Sequence, residues 1–471
     1  MGSKTRFYAD VMALHPGVTG SCNLVTVRFP TGKRMAFIVD CGLFQEKEYS
    51  NYNLSFPFNA MNIEFALVTH NHVDHIGRLP LLQKNGFNGK VYMTSVTKVL
   101  CRYALADSYR VLKESAKHSK TKELYSAADV ANIQNNIVGC EYEETVYINK
   151  FVKATFFING HLLGAAAILV QISYPDEKDI NLLFTGDYSP KNMFFNVPML
   201  PEWVHNMDLT VVQEATYGDM DSSEVVNTFE KNVCNKINHG GSVLCPVFSL
   251  GRAQEILYML KEMQDKGKLS KDVVIYFDGK LAQKYTRVYL TDNIGIREDM
   301  REFLPDNLIS VDRAIRDTVF ESHEQKIVVT TSGMGTYGPA QLYIPKFIQR
   351  ENWLIQFTGY TAEGTLGSKL KNTTIGEDVE IGGVIYRKKA DVEYTTEFSA
   401  HAKADEMLDF LAKFSNLKLV LVNHGEPNTK LKFAKRIVDE VNPKNVAILG
   451  REYFYRIDHY GLIKSMTTKF D

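Results

Sequence analysis

The six positions His70-Asn71-His72-Val73-Asp74-His75 follow directly on the apolar run Ile63-Glu64-Phe65-Ala66-Leu67-Val68-Thr69. An apolar run of that length reads as a strand, so three imidazoles and a carboxylate are crowded into the turn at its end. Such groups repel one another unless a cation neutralises them, and His nitrogen with Asp oxygen is the donor set of a borderline cation such as zinc. An extended backbone sends alternate side chains the same way, so His70 and His72 can grip one ion. The tighter turn then sends Asp74 and His75 toward a second. The spacing suggests two metals.

A chain of 471 residues is too long for one ordinary core, which points to two domains, one of them inserted in the other. Lys and Arg number 54 against 55 Asp and Glu, so no global basic field marks a nucleic-acid binder, and any polyanion site must be local. The six cysteines form no CxxC pair and mostly sit in apolar runs, as buried reduced thiols of a cytoplasmic protein do. Neither a signal-peptide pattern nor a membrane-span length occurs, so no membrane association is expected.

Apolar runs alternate with helical patterns along the chain, the signature of an α/β fold. The runs Met35 to Val39, Ile63 to Thr69, Asn181 to Thr185, Leu209 to Gln213 and Leu417 to Val422 lead into Asp40, His70, Asp187, Glu214 and His424. Active sites of α/β proteins lie at strand ends, so this pattern is the trace of one shared site. The segment from about Lys98 to Val138 reads as a helical cover. From about Asp208 to Thr395 the pattern changes to strand, Gly-rich loop and helix, which marks the inserted domain.

Three further residues extend the metal cluster. His161 lies in Gly160-His161-Leu162-Leu163-Gly164, Asp187 in Thr185-Gly186-Asp187, and His424 in Asn423-His424-Gly425-Glu426. Each alone reads as a turn residue, but all three follow apolar strands in one chain.

At this point the chain resembles the metallo-β-lactamase superfamily, with its HxHxDH motif followed by a distant His, an Asp and a final His. The resemblance narrows to the β-CASP nucleases through Glu214-Ala215-Thr216-Tyr217-Gly218, Phe398-Ser399-Ala400-His401-Ala402 and His424. Phe248-Ser249-Leu250-Gly251-Arg252-Ala253-Gln254-Glu255, Ser332-Gly333-Met334 and Gly364-Thr365-Leu366-Gly367 also match, and His424 in the last motif is similar to the RNA-processing branch. The resemblance implies an αββα sandwich, residues 1 to 208 with 396 to 471, and a β-CASP cap over 209 to 395, with the active site in the cleft between them. It implies that His70, His72 and His161 hold one zinc, that Asp74, His75 and His424 hold the other, and that Asp187 bridges them. Two cations about 3.5–4 Å apart share a water, lower its pKa and stabilise phosphoryl oxygens. Asp187 and Asp74 are thereby catalytic as well as ligating. His401 is the candidate acid for the leaving oxygen, with Glu214 as the carboxylate that keeps it protonated near pH 7. Asp40 supports the ligands from behind.

For the substrate, the turns at Ser249, Arg252, Ser332 and Gly333 present amides and a charge to phosphate oxygens. Tyr285, Tyr337 and Tyr360 are candidates for base stacking, although aromatic residues at such density are usually core. Ser368, Lys403, Met220 and Ser222 depart from the family pattern, around the RNA grip and His401 but not at the zinc ligands. The expected activity is a two-zinc ribonuclease on single-stranded RNA, leaving a 5′-phosphate and a 3′-hydroxyl, by internal or 5′-to-3′ cleavage. A homodimer is compatible with it. The rivals are a small-ester or thioester hydrolase of the same fold, and an RNA-binding scaffold without catalysis.

Overall fold

The computed structural model describes residues 6–291, 295–359, 361 and 364–467. Tyr360 lies outside the described residues. The chain divides into two units: Met1–Asn192 with Asn196–Ser222 and Ala400–Asp471, and Ser223–Ser399 with Met193–Phe195.

The first unit is built on two sheets. The eight-stranded sheet takes Gly461–Thr467, Tyr453–Asp458, Tyr8–Ala13, Asn23–Arg28, Arg34–Val39, Ile63–Leu67, Lys90–Thr94 and Ile137–Cys140 in that spatial order. The seven-stranded sheet runs Val446–Ile448, Leu417–Asn423, Leu209–Glu214, Ile180–Phe184, Ala166–Ile172, Val152–Ile158 and Thr145–Tyr147. Asn23–Arg28 alternates buried and half-buried side chains, the mark of a strand with one covered face. Every residue of Ile180–Phe184, Ala166–Ile172 and Leu209–Glu214 is buried, as central strands covered on both faces must be.

The inner faces of the two sheets meet in one core, where Val11, Val25, Phe37 and Leu67 pack with Ile168, Leu182, Val212 and Leu421. Each such side chain contributes roughly 1.5–3 kcal/mol by leaving water. On the outer face of the second sheet, Met407 and Leu411 of the helix Ala404–Leu411 and Phe433 of Pro427–Arg436 pack with Leu169, Leu183 and Val420. The helix Ser95–Ser119 covers the first sheet, its N-terminus capped by the Thr94 hydroxyl accepting from Thr97 N–H. The result is an αββα sandwich. The expected helical cover is present as Ser95–Ser119 and Ala127–Asn135, after which the chain enters the strand Ile137–Cys140.

The chain leaves this unit after Ser222, later than the break at 208 expected from the change of pattern. The reason is that Leu209–Glu214 is a central strand of the second sheet, paired in parallel with both Ile180–Phe184 and Leu417–Asn423. The return at Ala400 likewise keeps His401 within the first unit.

The second unit holds a six-stranded sheet in the order Leu308–Val311, Val274–Asp278, Lys326–Thr330, Val243–Pro246, Leu354–Phe357, Asp391–Tyr394. All its pairings are parallel. Leu244, Val328 and Ile355 of its central strands pack against Tyr343, Ile344 and Phe347 of the helix Ala340–Phe347. Among the described residues, no helix is long and apolar enough to cross a membrane.

Candidate metal centre

Six of the strands of the first unit deliver a polar side chain at or just past their C-terminal ends: Asp40, His70, His161, Asp187, Glu214 and His424. The turn after Ile63–Leu67 adds His72, Asp74 and His75. Close backbone approach makes this convergence available. A Cβ on Gly42 would lie 1.4 Å from the Asp74 carbonyl oxygen, so only glycine lets the loop after Asp40 pass against the ligand turn. Asp40 and His424 both hold left-handed backbone, at φ 65° and 42°, a conformation that bends each chain end back toward the centre.

The donors fall into two groups that share an edge. His72 Nδ1 lies 3.1 Å from His70 Nε2 and 3.2 Å from His161 Nε2. Asp187 Oδ2 is 3.6 Å from His70 Nε2 and 3.9 Å from His161 Nε2. On the other side His75 Nε2 lies 3.2 Å from His424 Nε2 and 3.7 Å from Asp74 Oδ2, with Asp187 Oδ2 at 3.4 Å. Donors on a tetrahedron with bonds of about 2.0–2.1 Å sit about 3.3 Å apart. The observed spacings are those of ligand atoms around a common centre, and Asp187 belongs to both groups.

Hydrogen bonds outside the cluster decide which nitrogens face in. His75 Nδ1 donates to Asp40 Oδ2 at 2.8 Å, and His161 Nδ1 donates to the Ala400 carbonyl at 2.8 Å. A carboxylate and a carbonyl can only accept, so both rings carry their proton at Nδ1 and turn Nε2 toward the cluster as the atom a metal would take. Asp40 is itself fixed by the Thr69 N–H at 2.8 Å and the Thr69 and Ser21 hydroxyls at 3.0 and 3.3 Å.

Burial sets the protonation states. It pushes His70 and His161 well below the usual imidazole range, and takes His72 and His424 down to about 3. Burial also lifts Asp74, to about 6, with His75 pulling the other way. His75 is the exception: burial lowers it, but the charges of Asp187, Asp40 and Asp74 outweigh that and raise it. For Asp187 burial acts upward, yet His424 and His75 hold it well below the carboxylate range. Its Oδ1 is buried without a hydrogen-bond donor. Neutral imidazoles with inward lone pairs around an ionised carboxylate are the donor set of a divalent cation, and the residues fit a metal cofactor.

Beside this cluster, His401 Nδ1 lies 2.9 Å from Glu214 Oε2, and its ring is 4.8 Å from that of His161. Glu214 Oε1 accepts from the Tyr188 N–H at 2.6 Å, which fixes the carboxylate. Burial lowers the His401 pKa, but Glu214, through charge and hydrogen bond, and Asp187 reverse the sign and raise it. The departure Lys403 sits 3.5 Å over the Tyr217 ring, and Ser222 bonds Asp405 through its N–H and hydroxyl.

The residues expected to bind phosphate lie in the second unit. Ser249 and the pair Ser332 and Gly333 follow the adjacent strands Val243–Pro246 and Lys326–Thr330, and a Cβ on Gly333 would come within 3.0 Å of the Phe248 nitrogen. Arg252 does not fill the role expected of it. Its guanidinium is buried, donates to Glu255 Oε2 and to the Thr358 and Phe398 carbonyls, and so clasps the unit from inside. Tyr285 is core at 2% exposure, whereas Tyr337 is 72% exposed.

Sequence reasoning missed Asn159. Its Nδ2 donates to the Thr185 and Asp187 carbonyls at 2.9 and 2.8 Å, and its Oδ1 accepts from His161 N–H at 3.3 Å, tying two ligand loops together. It stands directly after the strand Val152–Ile158, the position that flagged the other site residues. Thr69 and Thr216 were missed as well; the latter places its hydroxyl 3.2 Å from His424 Nδ1.

An αββα core with this donor set at its strand ends defines the chain as a metallo-β-lactamase-type protein, and residues 17–197 match the metallo-beta-lactamase superfamily. Residues 253–370 match the Beta-Casp domain, and 385–449 match the Zn-dependent metallo-hydrolase RNA specificity domain. The chain belongs to the β-CASP family of that superfamily. It is 31% identical over 422 residues to the endoribonuclease YSH1 of Candida glabrata, covering 82% of this chain and 53% of that protein. It is 27% identical over 444 residues to the transcription termination factor FttA of Methanosarcina mazei, covering 88% and 67%. The cleavage and polyadenylation specificity factor subunit 3-I of Arabidopsis thaliana is 28% identical over 456 residues, with 93% and 62% covered. The chain thus spans about half the length of the Candida relative.

Proposed function

We propose that the protein is a two-zinc endoribonuclease acting on single-stranded RNA. The observation that carries this reading is the position of Asp187, grouped with His70, His72 and His161 and 3.4 Å from His75 Nε2 of the other group, with the His401–Glu214 pair next to it. Two zinc ions bound there would lower the pKa of water toward neutrality and neutralise charge on the phosphoryl oxygens. His70, His72, His161 and Asp187 would hold one ion, and Asp74, His75 and His424, with Asp187 beside them, the other.

The remaining work falls to the chain's own groups. Asp40 holds the His75 ring at its Nδ1, and the Ala400 carbonyl holds His161, so neither ring needs to turn when the substrate binds. His401, kept protonated by Glu214, donates a proton from Nε2 to the leaving 3′ oxygen. Glu214 then faces a neutral imidazole, which recovers its proton from solvent. Arg252 keeps the turn that carries Ser249 in place without touching the strand, while Ser249, Ser332 and Gly333 meet phosphate oxygens.

The sequence similarity to a protein named endoribonuclease favours internal cleavage over removal of nucleotides from the 5′ end. The test is cleavage of a single-stranded RNA labelled at either end, by zinc-loaded wild type and Asp74→Ala, beside DNA of the same sequence. Internal RNA fragments ending in a 3′-hydroxyl and absent with Asp74→Ala are expected. Mononucleotides released from the 5′ end would make the protein an exonuclease. Intact RNA with hydrolysed small esters would overturn the reading.

A further inference from the structure

Two adjacent strands of the second unit lead out of the core into an uncovered aromatic ring. Val243–Pro246 and Val247 are buried throughout, yet the next side chain, Phe248, is 39% exposed. Lys326–Thr330 is likewise buried throughout, and the loop after it carries Tyr337, 72% exposed. A ring left in water beside a covered strand still has its burial to gain from a ligand. Both turns are held in place. The Phe248 carbonyl accepts from Ala253 N–H at 3.1 Å, Ser332 N–H donates to the Tyr337 carbonyl at 3.1 Å, and Tyr337 N–H donates to Ser332 Oγ at 3.4 Å.

Contacts tie both residues to one short piece of backbone. A Cβ on Gly333 would lie 3.1 and 3.2 Å from Cδ2 and Cε2 of Phe248, so the edge of that ring rests on Gly333. Tyr337 closes on the preceding residue, Ser332, through the two hydrogen bonds just given. The Ser332-Gly333 step therefore has Phe248 against one residue and Tyr337 anchored to the other. Among the described residues, the N–H groups of Phe248, Ser249 and Gly333 donate to no protein acceptor, and such amides are donors for anionic oxygen. Arg252 of the same turn is taken up by Glu255 and two carbonyls, so amides and rings are what these loops offer. Flat apolar faces with an anion between them are the repeating unit of a nucleic-acid strand, which proteins hold by stacking its bases on aromatic rings. A proline-rich peptide also packs on aromatic rings, but its backbone brings no anion to the amides.

We propose that Phe248 and Tyr337 are the stacking platforms of a subsite for two neighbouring nucleobases of single-stranded RNA, with the phosphate between them at the amides of Ser249 and Gly333. The proposal rests on the ribonuclease reading and names how the second unit grips the strand. Bases that stack on protein rings must leave their pairing partners, so the subsite accepts a single strand and refuses a duplex. Every base has a π-face, so the grip is tolerant of sequence.

The experiment is a cycle between protein and substrate. Wild type, Phe248→Ala, Tyr337→Ala and Tyr337→Phe, each zinc-loaded and matched for zinc content and circular dichroism, cleave a single-stranded RNA with one fixed cut site. The RNA is used intact and with a single abasic ribose at successive positions. Its binding is followed by fluorescence anisotropy with the same variants in the Asp74→Ala background, where the strand stays whole. Removing either stacked base should cost wild type about 5- to 150-fold in affinity, and in kcat/KM mainly through KM. Tyr337→Ala should erase the penalty at one position and Phe248→Ala at its neighbour, whereas Tyr337→Phe should behave as wild type. Exchanging one base for another there should cost far less than deleting it. Abasic penalties equal in wild type and both alanine variants at every position overturn the subsite and leave the nuclease intact. Position-specific penalties in binding, with no RNA cut by zinc-loaded wild type, overturn the ribonuclease reading and leave the subsite. Neither binding nor cleavage overturns both.

Discussion

His401 and Glu214, 187 positions apart in sequence, meet at 2.9 Å between Nδ1 and Oε2, with the Tyr188 N–H fixing the carboxylate from its far side. The pair gives an imidazole a second duty in a site where most others are held neutral. His401 clusters not with the other imidazoles but with Asp187 and Glu214, and it is raised chiefly by Glu214.

This makes the pH profile of cleavage diagnostic. A general acid must be protonated, so the rate falls as pH rises through the raised pKa of His401. Glu214→Gln removes the charge that raises it, and the descending limb should move to lower pH. The pair's contribution to stability has the same sign: present below about pH 6.5, the ordinary imidazole value, and lost as pH rises through the raised one. Rates measured from pH 5 to 9 check this, and an unmoved limb would remove His401 from the acid role.

Asp40 acts only through His75, which it holds at 2.8 Å. Asp40→Ala frees that ring and leaves its tautomer unset, so metal affinity should drop about 10- to 100-fold while the fold persists. Competition with a chromogenic chelator measures it. Asp40→Asn, which keeps the shape but can also accept from Nδ1, should lose less.

Gly42→Ala places a methyl 1.4 Å from the Asp74 carbonyl. No rotamer relieves a Cβ clash with backbone, so the ligand turn must shift, at about 1–3 kcal/mol or more. Urea unfolding should show that loss together with reduced metal content. Alanine at Gly450, which like Gly42 does not hold a positive φ and would meet nothing within 4 Å, serves as the comparison without a clash.

Removing the metal should expose the protein to mild acid. In the stripped protein His72 and His424 stay neutral down to about 3, and His70 and His161 are lowered too, so between about pH 6.5 and that value the unfolded chain binds more protons. Stability falls as pH drops through that window. Asp74 and His75, raised by the fold, oppose the trend, being most stabilising when protonated. Four lowered imidazoles outnumber these two. Unfolding midpoints of stripped protein from pH 7 to 4 should decline, and a flat profile would contradict the neutral cluster.

Much of the centre was legible in the sequence because a strand end is a local event. Apolar runs ending in Asp40, His70, Asp187, Glu214 and His424 are visible one at a time, and the sandwich brings those ends to one edge. What a motif does not carry is whether a polar group already has partners. Arg252 reads as a free cation at a helix start, but three internal acceptors claim it. Tyr285 reads like Tyr337, and only packing separates a core ring from an exposed one. Asn159 sat in a position that the strand-end rule covers, yet amides are too common in turns to stand out. The break at Ser222 was missed for a related reason: a buried strand looks the same in either unit until its neighbours are known.

The most direct test of the two-zinc ribonuclease reading is a titration of zinc into metal-stripped protein while single-stranded RNA cleavage and bound zinc are followed together. Cleavage should stay near background through the first equivalent, rise to its plateau with the second, and be lost in His424→Ala, which keeps only the first group of donors complete. Full activity at one equivalent, or intact RNA with two zinc ions bound, would contradict it.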